Sequence, residues 1–104
     1  GNAFAAVLAR AAGLPIGRIV LATNANRVLP DFLASGEYLP MPSLATLANA
    51  MDVGNPSNAE RLRWLHPYLA DLRAAVAADS VDDEAIRAAI VAGESRYGMV
   101  FCPH

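Results

Sequence analysis

The stretch Gly13-Leu14-Pro15-Ile16-Gly17-Arg18-Ile19-Val20-Leu21-Ala22 decides the fold. Before it, Asn2 through Ala12 reads as a helix, because Phe4, Val7, Leu8 and Ala11 recur at helical spacing and alanine favours helix. Gly13 is the stop signal, with Pro15 just behind it. Ile16 to Ala22 is then a short, β-branched apolar run. Its continuous apolar character predicts a strand buried on both faces, as in a parallel sheet. Helix, tight turn and buried strand make half of an α/β unit.

Outward from there the chain is helix-rich. Thr23-Asn24-Ala25-Asn26 closes the strand, and Asn24 or Asn26 is placed to cap a helix over about Arg27 to Ala34. Pro30 falls in its first turn, where proline is tolerated, and Ser35-Gly36 ends it. Glu37 to Leu44, with Pro40 and Pro42, reads as loop. Thr46 to Val53 is ambiguous between strand and helix, and Gly54-Asn55-Pro56 is a breaker. Ser57 or Asn58 then caps a helix carrying Glu60, Arg61, Leu62, Trp64 and Leu65, which Pro67 interrupts. Tyr68 to Ala78 reads as helical, with Leu69, Leu72 and Val76 on one face. Asp79-Ser80 breaks the pattern. Asp82, Asp83 and Glu84 put negative charge at the start of a last helix to about Arg96, where the backbone dipole favours it. Met99-Val100-Phe101 reads as a final short strand. The expectation is α/β and helix-rich, one unit without repeats or linker.

Bulk composition narrows the partners. A chain of 104 residues can form one small domain. It is 55% apolar and only 17% charged, more apolar than an average soluble domain. Either some faces pack against further polypeptide, or the many alanines inflate the count. The net charge of −2 gives no electrostatic reason to expect nucleic acid or an anionic membrane as a partner. No apolar run approaches the ~20 residues that span a bilayer, and the first residues lack the features of a signal peptide. The single cysteine, Cys102, allows neither an internal disulfide nor a multi-cysteine metal site and fits a reducing, cytoplasmic setting. All eight cations are arginine. Both ends read as cut, at Gly1-Asn2-Ala3-Phe4 and at Cys102-Pro103-His104.

Several stretches together carry a family resemblance. They are Gly13-Leu14-Pro15-Ile16, Ala22-Thr23-Asn24-Ala25-Asn26, Ser35-Gly36-Glu37-Tyr38, and above all Ala50-Met51-Asp52-Val53 with Pro56-Ser57-Asn58-Ala59-Glu60-Arg61-Leu62. Tyr97-Gly98 and Cys102-Pro103-His104 also fit. In that order and spacing they resemble an internal stretch of threonine synthase, across nearly the whole chain. The resemblance implies a helix-rich segment of a fold-type II pyridoxal-phosphate enzyme with an open, mostly parallel sheet. Residues 1–104 would then be a single segment of its large cofactor-binding domain, truncated at both ends.

The family carries a Gly-Asn-Phe-Gly loop that cradles the cofactor phosphate, about a dozen residues before its Gly-Leu-Pro. Gly1 stands at that distance from Gly13 and matches the last glycine of the loop. Glycine-rich turns expose backbone N–H groups, and the following helix points its positive end at an anion. The resemblance therefore makes Gly1 and Asn2 cofactor-binding, with Asn24 a third candidate because α/β sheets place ligands at the carboxyl ends of strands. It assigns no catalytic residue and no metal ligand within the chain. The family's hydroxyl residue after Pro-His, expected beside the cofactor's pyridine nitrogen, has no counterpart, and neither has its cofactor-bearing lysine. Pyridoxal-phosphate enzymes hold their cofactor on a lysine amine that also moves protons. Arginine cannot replace it, since its guanidinium stays protonated. Departures from the family's pattern, Ala59 where phenylalanine is common and Cys102 where an acidic residue often stands, touch packing alone.

Other polar residues have plainer readings. Asn24, Asn26, Ser57 and Asn58 are helix caps in the simplest account. Asp52 fixes a loop by hydrogen bonding or joins a site. Glu60 and Arg61 pair with neighbours, whereas Arg10, Arg63, Arg73, Arg87 and Arg96 read as solvated helix faces. His66 and His104 lack the spacing of metal ligands. Trp64 and Tyr68 read as packing residues, as no basic groove accompanies them.

By resemblance, then, the parent chain is a cytoplasmic, pyridoxal 5'-phosphate-dependent lyase of threonine biosynthesis. It converts O-phospho-L-homoserine and water to L-threonine and phosphate, the segment's other partner being the remainder of the parent chain, and the segment alone is expected to be inactive. The competing readings are a noncatalytic α/β scaffold or interaction fragment, and part of another pyridoxal-phosphate-dependent amino-acid lyase.

Overall fold

The computed structural model describes all residues, Gly1–His104. Helix α1 spans Asn2–Ala11 and ends in a turn whose Gly13 takes φ +97°, a conformation disfavoured for side-chain-bearing residues. Strand β1 is Ile19–Thr23. Helix α2, Val28–Ser35, closes at Gly36 (φ +87°), whose N–H reaches back to the Phe32 carbonyl at 2.8 Å. A long irregular segment follows, broken only by a 3-10 turn at Asn49–Met51. Helices α3, Ala59–Leu65, and α4, Leu69–Ala75, are separated at Pro67. Strand β2 is Val76–Ser80, and α5 is Asp83–Tyr97, capped by the Asp82 carboxylate on the Ala85 amide at 2.8 Å.

The two strands pair in parallel, Ile19 opposite Val76 through to Thr23 opposite Ser80. A parallel pair needs a long crossover, and here it runs through α2, α3 and α4. The α/β class is as expected, but three local readings are corrected. The helix predicted over Tyr68 to Ala78 stops at Ala75, and the chain passes directly from α4 into β2 with no intervening loop. The strand predicted at Met99-Val100-Phe101 is irregular: Phe101 instead folds back on Tyr97, edge to face with ring centroids 6.0 Å apart. Strand β1 starts at Ile19 rather than Ile16, and it alternates, with Ile19 and Leu21 buried and Val20 49% exposed.

The core joins Val7 of α1, Ile19 and Leu21 of β1, Phe32 of α2, Leu62 of α3, and Leu72, Ala75 and Val76 of α4 and β2. Around it the molecule is a slab of 41 × 35 × 19 Å with a radius of gyration of 14.9 Å, wider than the roughly 13 Å of a compact domain this size. Large apolar side chains stay on its surface, among them Trp64 (78% exposed) and Val100 (71%). No helix is long and apolar enough to cross a membrane.

Arginines hold the layers together, so several are not simply solvated. Arg73 donates to the Leu33 and Ala34 carbonyls at the end of α2, at 2.6 and 2.8 Å. Arg10 reaches from α1 to the carbonyls of Gly17 and Ala75. Arg63 lies 5.8 Å above both the Phe32 and Tyr38 rings. Glu60 and Arg61 form no ion pair; the chain's one salt bridge is Arg27–Asp31 at 3.2 Å.

Candidate functional site

A cleft of about 690 Å³ opens between the start of α1, strand β1 and the segment from Met51 to Leu62, a volume in the range of small-molecule sites. Its lining is mostly apolar, with polar groups from Asn2, Thr23, Ser57 and Asn58. Gly1 and Asn2 form one rim. Helix geometry leaves the amides of Asn2, Ala3 and Phe4 without intrahelical acceptors, the first backbone bond running from the Ala5 N–H to the Gly1 carbonyl at 3.1 Å. No side chain caps this end and its first turn holds no acidic residue. Helix α5 is the opposite case, with Asp82 as cap and Asp83 and Glu84 in the first turn. The positive end of α1 is thus bare where it meets the cleft, the arrangement that suits an anion.

Asn24 does not join Gly1 and Asn2. It sits beyond the carboxyl end of β1, 4% exposed, with its amide committed to neighbours. Its Nδ2 donates to Thr46 Oγ1 (2.9 Å), the Ala48 carbonyl (3.2 Å) and Asp52 Oδ1 (2.8 Å). Its Oδ1 accepts from the backbone N–H and the Nδ2 of Asn26, both at 2.9 Å. Asn26 in turn holds Leu44 by both backbone groups, accepting from its N–H (2.8 Å) and donating to its carbonyl (2.9 Å). The simple cap readings are corrected here: neither α2 nor α3 carries a side-chain cap bond. The asparagines instead tie the end of β1 to the irregular segment, while Ser57 and Asn58 line the cleft.

Asp52 is the hub. Its Oδ1 accepts from Thr46 Oγ1 at 2.7 Å, Asn24 Nδ2 at 2.8 Å and Asn26 Nδ2 at 3.3 Å, and its Oδ2 from the Thr46 N–H at 3.0 Å. The Thr46 hydroxyl, above all, holds the carboxyl below the usual 3.8, with help from the Thr46 amide, Asn24 and His104 against an opposing effect of desolvation. The loop-fixing role read for Asp52 from sequence is the one observed. Thr46 was missed, and it lies in the stretch whose periodicity gave no clear reading. The side chains flanking Asp52, Met51 and Val53, line the cleft and also a smaller cavity of about 80 Å³ shared with Thr23 and Asn26. His104 joins the turn before Asp52, its Nε2 accepting from the Ala50 N–H at 3.2 Å.

Parallel strands joined through helices, with a ligand-sized cleft at the bare N-terminus of a helix, place the chain in the α/β class. No protein-family model matches the chain. It is similar, at 40% identity over 85% of its length, to threonine synthase of Haemophilus influenzae. Its backbone superposes on the crystal structure of threonine synthase from Escherichia coli with a TM-score of 0.82 at 35% identity over 97% of the chain. It superposes on PLP-bound threonine synthase from Brucella melitensis with a TM-score of 0.86 at 27% identity over 100% of the chain. The chain is a segment of the threonine synthase family. It spans 22%, 23% and 28% of the lengths of these three relatives.

Proposed function

We propose that these residues form one wall of the pyridoxal 5'-phosphate site of a threonine synthase that converts O-phospho-L-homoserine and water to L-threonine and phosphate. Residues 1–104 are then a single segment of the large cofactor-binding domain, and the remainder of the parent chain supplies the rest of the site. The observation that carries this reading is the uncapped N-terminus of α1 opening on the cleft.

The residues present fit the cofactor. The amides at Gly1 and Asn2 and those of the first turn bind a phosphate monoester through backbone donors and the helix dipole. Asn24 acts from behind the cleft, where its fully bonded amide orients the segment bearing Asp52. Val20, Ala22, Met51 and Val53 give the cleft an apolar lining against which the cofactor's ring would pack. When bound, the cofactor supplies the electron sink for ionisation next to the amino group and loss of the γ-phosphate. The chain contains no lysine, so the anchoring amine lies outside these residues and the segment alone is inactive. The same reading makes the protein a cytoplasmic enzyme of amino-acid biosynthesis.

The test is to reduce the full-length gene product with borohydride and map its peptides by mass, with phosphate release from O-phospho-L-homoserine followed in parallel. A pyridoxyl mass on a lysine outside residues 1–104, together with phosphate release, supports the proposal. A label without phosphate release points to another pyridoxal-phosphate lyase, and no label at all removes the enzyme reading.

A further inference from the structure

Four hydrogen-bond donors converge on the Asp52 carboxylate: the Thr46 amide, the Thr46 hydroxyl, and the side-chain amides of Asn24 and Asn26. These donors come from two separate places, the carboxyl end of β1 and the middle of the irregular segment, and Asp52 itself sits between two cleft-lining residues, Met51 and Val53. Thr23, the last residue of β1, lines the same cleft and shares the smaller cavity with Met51 and Val53. The carboxylate therefore ties the end of β1 to the segment that carries Met51 and Val53. We propose that Asp52 is a positioning residue for cofactor binding, fixing the Met51–Val53 wall against the end of β1 so that the cleft keeps the width its ligand needs. This inference rests on the pyridoxal-phosphate reading of the cleft given above.

Chemistry makes the position specific. A carboxylate is acceptor-only and meets four donors without conflict. An asparagine of the same shape turns one NH2 toward a donor in either amide orientation: toward the Thr46 amide in one, toward Asn24 and the Thr46 hydroxyl in the other. Asp52→Asn therefore leaves two donors facing each other in either orientation and weakens the bridge while keeping volume. Thr46 is the second handle. Its hydroxyl accepts from Asn24 and donates to Asp52, and valine keeps its shape without the hydroxyl.

The test uses the full-length protein, with the dissociation constant of pyridoxal 5'-phosphate measured by absorbance titration and kcat and KM measured alongside. Asp52→Asn is expected to raise the cofactor's Kd roughly ten- to hundred-fold, the scale on which loss of an outer-shell hydrogen-bond partner lowers affinity at metal sites. Thr46→Val should move it the same way, Thr46→Ser should restore wild-type binding, and the double variant Asp52→Asn/Thr46→Val should be little worse than either single one, because both remove one bridge. Arg73→Met, which releases α2 from α4 away from the cleft, serves as control: it should lower Tm and leave Kd unchanged. A wild-type Kd in Asp52→Asn overturns the inference. So does an equal rise in Arg73→Met at equal loss of Tm, which would mean that any loosening of the fold weakens binding. If Asp52→Asn does not fold, Thr46→Val against Thr46→Ser decides alone. A wild-type protein that binds no pyridoxal 5'-phosphate overturns the function proposal itself, and this inference with it.

Discussion

Gly54→Ala is the substitution with the sharpest expected consequence. A Cβ built on Gly54 falls on the Met41 carbonyl oxygen, well inside van der Waals contact, with the Met41 carbonyl carbon at 2.9 Å and the Ser43 nitrogen at 3.0 Å. These are backbone atoms and cannot swing aside as the end of a flexible side chain can. The same residue joins the two segments by hydrogen bonds, its carbonyl accepting from the Met41 N–H and its N–H donating to Ser43 Oγ, both at 2.9 Å. Moving the strands of the loop apart to admit a methyl group breaks both. Overpacking costs about 1–3 kcal/mol, and each lost bond about 0.5–1.5 kcal/mol. The penalty is therefore about 2–6 kcal/mol, large against the ~5–15 kcal/mol of a typical domain. It falls on the loop first, so two assays are needed in the full-length protein: the urea midpoint, and hydrogen exchange of peptides covering residues 41–54. Exchange there should accelerate even if the global midpoint moves less, because local opening needs less than global unfolding. Gly17→Ala, where a Cβ meets nothing within 4 Å, should stay within about 0.5 kcal/mol of wild type. Equal exchange and an equal midpoint in Gly54→Ala would refute the reasoning.

Two further outcomes are expected. Leu72→Ala, at a residue 2% exposed in the centre of the core, should cost about 2–5 kcal/mol in urea unfolding, whereas Leu72→Met should cost less than about 1.5 kcal/mol. Because Asp52 has its folded pKa lowered from 3.8, its stabilisation is fully present above that value and is lost as pH falls through the lower, folded pKa; acid unfolding below about pH 4 should therefore contain an Asp52 component that Asp52→Asn lacks, and a component lost near neutral pH would contradict it.

The elements legible in the sequence were those with local punctuation. Helix α1 has Gly13 to end it, α2 has Gly36, and α5 has Asp82 to begin it, and each boundary fell within about a residue of its reading. Strand β2 had no such mark. Val76-Ala77-Ala78 follows α4 without glycine or proline, and alanine favours helix. What makes it a strand is its pairing with Ile19 to Thr23, more than fifty residues earlier, and long-range pairing overrides a weak local preference. The converse failure is Met99-Val100-Phe101, which has strand composition but no strand beside it. A strand needs an edge to pair with, and in its absence Phe101 packs over Gly93, where an added Cβ would meet its ring at 2.5 and 2.7 Å.

The site divides in the same way. Gly1 and Asn2 were placed by motif spacing, and the structure sets them at the rim of the cleft, because a helix start is a local feature and carries its own dipole. The Asn24–Thr46–Asp52 network is not local: it spans 28 residues of sequence, across α2 and into the irregular segment, with no period to announce it. Buried asparagines offered the one available sign. An amide that leaves water must find partners, and Asn24 and Asn26, at 4% and 7% exposed, find theirs in Thr46, Asp52 and Leu44. The polar residues that read most simply as caps thus hold together a loop that has almost no regular structure, and their hydrogen bonds tie the segment of Met51 and Val53 to the strand end. That is why Asp52, and no residue of the apolar lining, is the place where a change of one atom should be felt by the ligand.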